Sequence, residues 1–150
     1  MQFLSALLLA GSASAASLQA RQYPLLYVSN FTAACIPHSV RCTYSFGLDS
    51  QPSLGWKPTA CNITLNGPDR LPNVTQAACE RTFHFDVNTT AADAGLDLTV
   101  WQWPNSRTYQ NYCHHIPGDQ LIIEDHGAVQ TQRYIGPTDF QVTVADCHNS

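Results

Sequence analysis

Residues 42–48 read CTYSFGL, and their strict alternation decides the fold class. Positions 42, 44, 46 and 48 carry cysteine, tyrosine, phenylalanine and leucine, and the positions between them carry threonine, serine and glycine. Successive side chains of a β-strand point to opposite faces, so this pattern predicts a strand with one buried face. The same alternation recurs in four other segments: 61–65, 83–87, 96–100 and 140–144. Half-buried strands of this kind indicate an antiparallel sheet.

Clusters of Gly, Pro, Asn, Asp and Ser separate the alternating segments, and such residues preset or permit turn dihedrals. They lie at 49–55, 66–69, 91–95, 104–106, 117–119 and 136–137. About seven to nine short strands joined by turns predict an all-β fold, a compact antiparallel β-sandwich or β-barrel. The best helix candidate is 74–80, which competes with a strand beginning at Cys79.

The first sixteen residues, MQFLSALLLAGSASAA, predict a secretory signal peptide. A short apolar run precedes a small-x-small cleavage pattern, and the stretch is too short to span a bilayer. Residues 17–21 end in an arginine and form a possible short pro-segment. The remaining residues, 22–150, fit a single all-β domain, and no second apolar run predicts membrane insertion. We therefore expect a secreted, extracellular protein.

Six cysteines follow the predicted signal, and secretion places them where disulfides persist. They are Cys35, Cys42, Cys61, Cys79, Cys113 and Cys147. Sequence alone does not choose among the complete pairings. Cys61 and Cys79 share the parity of the apolar face in their segments, so a bridge between them is favoured, and Cys147 is expected to tie down the last strand. No C-x-x-C pair is present, so disulfides are favoured over a metal site.

Charge and sequon content bear on partners and on modification. Seven basic and eleven acidic residues give a net charge of −4 without a basic cluster, so no nucleic-acid partner is expected. Four N-x-S/T sequons predict N-glycosylation at surface positions of a secreted protein. Their asparagines are Asn30, Asn62, Asn73 and Asn88.

The sequence carries no catalytic signature, and no metal or cofactor is expected. A G-x-S-x-G nucleophile elbow is lacking, and no two of the carboxylates are singled out as a glycosidase pair. Two sequence-local acid–histidine pairs, His84 with Asp86 and Glu124 with His126, are of a kind that arises by chance on solvated strand faces. The neighbouring histidines at 114 and 115 point to opposite faces of a strand and are not expected to chelate one ion.

The aromatic residues are the candidate binding residues. Trp101 and Trp103 lie two apart and project from one face of their strand, opposite its leucine face. If the leucine face is the core, the tryptophans form an exposed platform that stacks on sugars or anchors a protein partner. The alternative is that a second sheet, or the loop with Tyr109 and Tyr112, covers them. The candidate binding residues are Trp101, Trp103 and Tyr109.

Several motifs resemble those of one known family. Residues 31–48 read FTAACIPHSVRCTYSFGL, residues 78–87 read ACERTFHFDV, and residues 96–102 read LDLTVWQ. With these and Asn111-Tyr112-Cys113, the chain resembles the Alternaria major-allergen-like family of small secreted cysteine-rich fungal proteins. The resemblance implies a β-sandwich or β-barrel held by disulfides and a role at a fungus–host boundary. It also implies that Cys61 pairs with Cys79.

These observations together predict an effector-like or elicitor-like binding protein without catalytic activity. Its expected partner is a host extracellular protein or a small ligand. The alternative is a small carbohydrate-binding module or carbohydrate-active enzyme that acts on a cell-wall glycan. Neither hypothesis requires a cofactor.

Overall fold

The computed structural model describes residues 24–67, 69–102 and 110–148. The predicted signal peptide, the segment 17–21, Trp103 and Tyr109 lie outside these ranges. Ten strands are described: β1 Leu25–Cys35, β2 Arg41–Asp49, β3 Thr59–Asn66, β4 Val74–Ala78, β5 Phe83–Thr89, β6 Leu96–Gln102, β7 Asn111–Ile116, β8 Leu121–Asp125, β9 Gln130–Tyr134 and β10 Phe140–Thr143. Three short 3-10 helices lie at Pro52–Leu54, Gly118–Gln120 and Ala145–His148.

The strands form one antiparallel sheet that nearly closes on itself. Eight strands follow the path β3-β2-β1-β10-β7-β6-β5-β4, and the β8–β9 hairpin attaches to β1. The two ends of the path meet at an isolated antiparallel bridge between Cys61 and Cys79. Next to it, the Glu80 N–H donates to the Ala60 carbonyl (2.9 Å). We call this contact the seam; it completes a barrel-like fold, and the all-β prediction is confirmed.

The barrel interior is built from the alternating segments. The apolar positions of 42–48, 85–87 and 96–100 are all at most 3% exposed. Phe46 and Phe85 meet edge to face across the core, with ring centroids 4.9 Å apart. The buried Tyr44 hydroxyl donates to the Pro72 carbonyl (2.9 Å), and burial raises the pKa of this tyrosine. The sequence pattern therefore predicts these strand faces correctly.

A bulge interrupts the alternation in β1. The register with β2 shifts between Ser29 and Thr32, and Asn30 takes a φ of 51°. Asparagine tolerates this left-handed region better than most residues, and the Asn30 N–H donates to the Asp139 carboxylate (2.9 Å). The extra residue makes Val28 and Phe31, three apart, both face the core at 2% and 1% exposure.

The predicted helix at 74–80 is wrong, because Val74–Ala78 forms strand β4. A second bulge lies here, where Gln76 has a φ of 53° and its N–H donates to the Asp86 carboxylate of β5 (2.5 Å). The bulge turns Val74 and Ala77 to the same buried face. Buried residues three apart imitate the spacing of a helix, which explains the error.

All six cysteines form disulfides. The bonds are Cys35–Cys42, Cys61–Cys79 and Cys113–Cys147. The first joins directly paired positions of β1 and β2, and the second, the bond that alternation favours, lies in the seam. The third links β7 to the 3-10 helix that follows β10, so Cys147 anchors the segment after the last strand rather than the strand itself.

Candidate functional site

Trp101 does not form an exposed platform. It lies on the outer face of β6 but is 9% exposed. The His84 imidazole on β5 stacks on its indole, with ring centroids 4.6 Å apart at an interplanar angle of 17°. The two residues are direct cross-strand neighbours, so the register of β5 and β6 brings the rings together. The prediction of an exposed platform is therefore wrong for Trp101, and Trp103 and Tyr109 fall outside the described residues.

The exposed tryptophan of the described chain is Trp56, with 65% of its surface accessible. It lies in the loop between β2 and β3, so strand alternation gives no signal for it. The sequence does contain a signal that Trp56 is exposed. It stands between Gly55 and Lys57 in a turn-rich segment, and connecting segments run over the surface.

Local hydrogen bonds shape the loop that carries Trp56. The Asp49 carboxylate accepts the Gln51 N–H (2.8 Å), which turns the chain at the end of β2. A single 3-10 turn follows at Pro52–Leu54 and ends at Gly55. Gly55 has a φ of 67°, a conformation that glycine adopts without steric cost. The loop therefore has a defined course that presents the indole to solvent.

Gly47 allows the loop to pack against the barrel. A Cβ at this position would lie 2.7 Å from the Ser29 Oγ and 2.9 Å from the Pro58 Cβ. Both distances are shorter than side-chain atoms tolerate, so only glycine permits the approach. The contact fixes the segment of Trp56 and Lys57 beside β2.

A pocket of about 320 Å³, which we call the mouth pocket, opens at this end of the barrel. Leu26, Leu48 and Thr59 form its buried floor, and the half-buried Phe83 and Tyr112 form its walls. These residues come from the start of β1, the end of β2 and the starts of β3, β5 and β7. The antiparallel pairing brings these strand ends to one mouth, although they are distant in sequence.

The rim of the mouth pocket carries Trp56, Lys57 and Arg81, all exposed. Within the described residues neither cation forms an ion pair, whereas Arg133 elsewhere contacts Glu124 at 2.8 Å. The pocket lining therefore has two cations against one carboxylate, that of Asp49, in a chain of net charge −4.

The wall residue Tyr112 adds a neutral hydroxyl to this lining. Burial raises the pKa of Tyr112, and its protonated hydroxyl can both donate and accept a hydrogen bond.

A second concave surface, a shallow cleft of about 800 Å³, lies near the turn between β5 and β6. In it, His115 bridges two carboxylates: Nδ1 lies 2.7 Å from an Asp97 oxygen and Nε2 lies 2.7 Å from an Asp93 oxygen. Hydrogen bonds with Asp97 and Asp93 raise the pKa of His115. The pKa of Asp93 is held well below its usual range by three hydrogen bonds. The largest effect comes from the Thr90 hydroxyl, followed by His115 and the Gly95 N–H.

The contacts of this cluster join neighbouring segments of the barrel. Both nitrogens of His115 lie 2.7 Å from a carboxylate oxygen, so each is engaged in a contact within the protein. The imidazole fastens the β5–β6 turn and β6 to β7. His114, on the other face of β7, stacks on Phe140 with centroids 4.2 Å apart, and burial lowers its pKa.

The two sequence-local acid–histidine pairs also have structural partners. Glu124 binds the Arg133 guanidinium, and His126 lies 3.7 Å from the same carboxylate. Asp86 accepts a backbone N–H of β4, as described above, and His84 covers Trp101. In the part of the chain that the structure describes, no group of three or more His, Cys, Asp or Glu residues is placed to hold a metal ion.

The four sequon asparagines all lie at exposed positions of the barrel: Asn30, Asn62, Asn73 and Asn88. Two of them already make side-chain contacts through their oxygens. The Asn73 Oδ1 accepts the Thr89 N–H (2.9 Å), and the Asn62 Oδ1 accepts from Ser45 (2.5 Å). Because attachment of a glycan uses the amide nitrogen, these contacts leave room for modification.

Three comparisons, with protein-family models, with curated proteins and with solved structures, found no match for this chain. Among the described residues no helix has the length and apolar character needed to cross a membrane. The three disulfides are compatible with an extracellular protein.

Proposed function

We propose that this protein is a secreted, extracellular binding protein and that the mouth pocket is its ligand site. One observation carries the proposal: the barrel end has an apolar floor, aromatic walls and an exposed tryptophan at the rim. Ligand sites are typically concave and mostly apolar with a few placed polar groups, and the mouths of β-barrels are a common place for them.

An effector-like or elicitor-like role at a fungus–host boundary is part of the proposal. The resemblance to the Alternaria major-allergen-like family supports it, as do the predicted signal peptide and the exposed sequons. The partner is then a host extracellular protein or a small ligand. Binding without catalysis is supported by the engagement of His115 and of Glu124 in contacts within the protein.

A second candidate function, binding of a cell-wall glycan, is favoured by Trp56. An exposed indole beside polar groups is suited to stacking on a sugar ring. In this hypothesis Trp56 takes the role that the sequence assigned to Trp101 and Trp103, and the neighbouring Lys57 and Arg81 contact hydroxyl or carboxyl groups of the glycan.

The experiment compares Trp56→Ala with Leu54→Ala. Leu54 lies in the same loop and is 50% exposed, but it does not line the pocket, so it is a matched control. Each oxidised variant is immobilised and exposed to host extracellular fluid and, separately, to insoluble cell-wall polysaccharide. We expect the Trp56 variant to lose the retained material and the Leu54 variant to keep it, with similar urea midpoints.

Two results would contradict the proposal. Retention that is unchanged in Trp56→Ala would move the site away from the mouth pocket. Equal retention by reduced and alkylated protein would show that binding does not need the folded barrel. Retention of polysaccharide alone would favour the second candidate.

A further inference from the structure

We propose that the mouth pocket recognises a small organic carboxylate, a ring compound with a single negative charge, through Lys57 and Arg81. This inference rests on the proposed function, because it names the ligand class of the same site. It concerns the chemistry of the ligand, whereas the proposed function concerns only its place.

The first argument is the charge of the rim. Lys57 and Arg81 face the pocket without an ion-pair partner among the described residues, and Asp49 is the one carboxylate in the lining. The Asp49 carboxylate also accepts the Gln51 N–H, so part of its hydrogen-bonding capacity is used. A lining with two cations and one anion is complementary to a monoanion.

The second argument is the chemistry of the two cations. A guanidinium presents paired N–H donors that match the two oxygens of a carboxylate, and an ammonium supplies a compact point charge beside them. Arg81 lies in the turn between β4 and β5, and Lys57 lies in the loop between β2 and β3. A carboxylate that contacts both cations would therefore be held by residues from two different loops.

The third argument is that the seam positions both cations. Arg81 follows Cys79 by two residues, and Lys57 precedes Cys61 by four, so the Cys61–Cys79 disulfide joins the two segments. The bond between the Glu80 N–H and the Ala60 carbonyl lies immediately beside them. The linked backbones need no further ordering when a ligand binds, so the entropic cost is confined to the side chains of the two cations.

The apolar part of the ligand follows from the floor and walls. Leu26, Leu48 and Phe83 offer a surface for a ring, and Trp56 is placed to cover it from the rim. A volume of about 320 Å³ is at the small end of ligand sites. These properties select a compact ring acid, either an aromatic acid or a sugar acid, rather than a polymer or a polyphosphate.

The experiment titrates the oxidised protein with two pairs of probes at low salt. Benzoate with benzamide tests the aromatic source, and galacturonate with galactose tests the sugar source. Calorimetry reports binding. We expect one carboxylate to bind about tenfold or more tightly than its neutral counterpart, the size expected for hydrogen bonds to a charged group, and this preference to fall as salt rises.

Charge-removing variants locate the effect. Arg81→Gln and Lys57→Gln should each reduce the preference for the carboxylate severalfold. Arg41→Gln is the matched control, because Arg41 is also exposed and has no ion-pair partner in the described ranges, but lies at the start of β2, away from the mouth. It should leave the preference unchanged.

Three results would overturn the inference: equal affinity for each carboxylate and its neutral counterpart, an unchanged preference in both glutamine variants at the rim, or no binding of any probe. The capture experiment with Trp56→Ala fails or succeeds separately. Loss of capture in that variant together with no carboxylate preference would leave the mouth pocket as the site and exclude anion recognition.

Discussion

Removal of the Cys61–Cys79 disulfide is expected to cost more than removal of either other disulfide. Loop entropy alone gives a different order. The sequence separations are 7 for Cys35–Cys42, 18 for Cys61–Cys79 and 34 for Cys113–Cys147. In the chain-entropy model these separations correspond to about 2, 3 and 4 kcal/mol, so the seam bond would rank second.

The structure changes this order. Cys61 is fully buried, and loss of its sulfur from the core removes about 1 kcal/mol of burial. Cys42 is equally buried, so the same amount raises the Cys35–Cys42 bond to about 3 kcal/mol, whereas Cys113 and Cys147 are only half-buried. The seam also holds β3 to β4 with few other contacts, and exposure of its backbone bonds costs about 1 kcal/mol more. Together these contributions make about 5 kcal/mol. The Cys35–Cys42 bond, in contrast, lies in a long β1–β2 ladder that persists without it.

The assay is reversible urea unfolding of three variants in which one cysteine pair is replaced by alanine, with amide hydrogen exchange of each. We expect the variant at 61 and 79 to be the least stable. The Glu80 amide, which bonds across the seam, should lose its protection in this variant and keep it in the variant at 113 and 147. The reasoning would be refuted if the 61/79 variant were the more stable of these two and Glu80 stayed protected.

Four further predictions concern single residues. Because its pKa is raised, His115 stabilises the fold fully below 6.5, its ordinary pKa, and this stabilisation is lost as pH rises through the raised value. At low pH the thermal midpoint of His115→Asn should lie below that of wild type by a few degrees at most, because the cluster is partly exposed. The two midpoints should converge as pH rises. Asp93 has the opposite dependence: its contribution is present above 3.8 and is lost as pH falls through its lowered pKa, and Asp93→Asn should flatten the acid limb of the same measurement. Gly47→Ala should destabilise the fold by about 1–3 kcal/mol in urea and weaken mouth-pocket binding, because the new methyl group displaces the β2–β3 loop. Trp101→Ala should cost about 3–5 kcal/mol in urea, because the indole is covered; a cost below about 0.5 kcal/mol would show that it is an exposed side chain.

The sequence predicted the strands in which alternation is regular. Segments 42–48 and 96–100 carry a strict period of two, and both have buried apolar faces in the structure. The alternating parity of Cys61 and Cys79 likewise indicated the bridge that the structure contains. In these segments local pattern and tertiary burial agree, so the pattern was sufficient.

The bulged strands could not be predicted in the same way. In β1 the inward positions pass from Val28 to Phe31 across Asn30, so the parity changes within one strand. In β4 the bulge at Gln76 gave a spacing of three that imitates a helix. A bulge depends on partners in other strands, here Asp139 and Asp86, and sequence-local reasoning does not contain them.

The candidate site depends even more on register. Alternation alone makes Trp101 a candidate for binding, but the pairing of β5 with β6 stacks the His84 imidazole on its indole. Trp56 and Arg81 line the same pocket because the seam places the end of β4 beside β3. A turn segment separates these two strands in the sequence, so sequence-local reasoning does not show that they meet. Residue types alone predict neither that His84 covers Trp101 nor that a pocket lies beside Trp56.

The place of β1 in the sheet has a consequence for how the chain reaches its fold. β1 is paired on one edge with β2, which follows it directly, and on the other with β10 and, at its far end, with β9. During synthesis the first edge is covered early, but the second stays open until β9 and β10 have been made. An open strand edge is a template for pairing with another molecule, and contacts between distant parts of a chain form slowly. Recovery of folded protein should therefore depend on chain concentration during refolding, with aggregation competing against the arrival of the last strand.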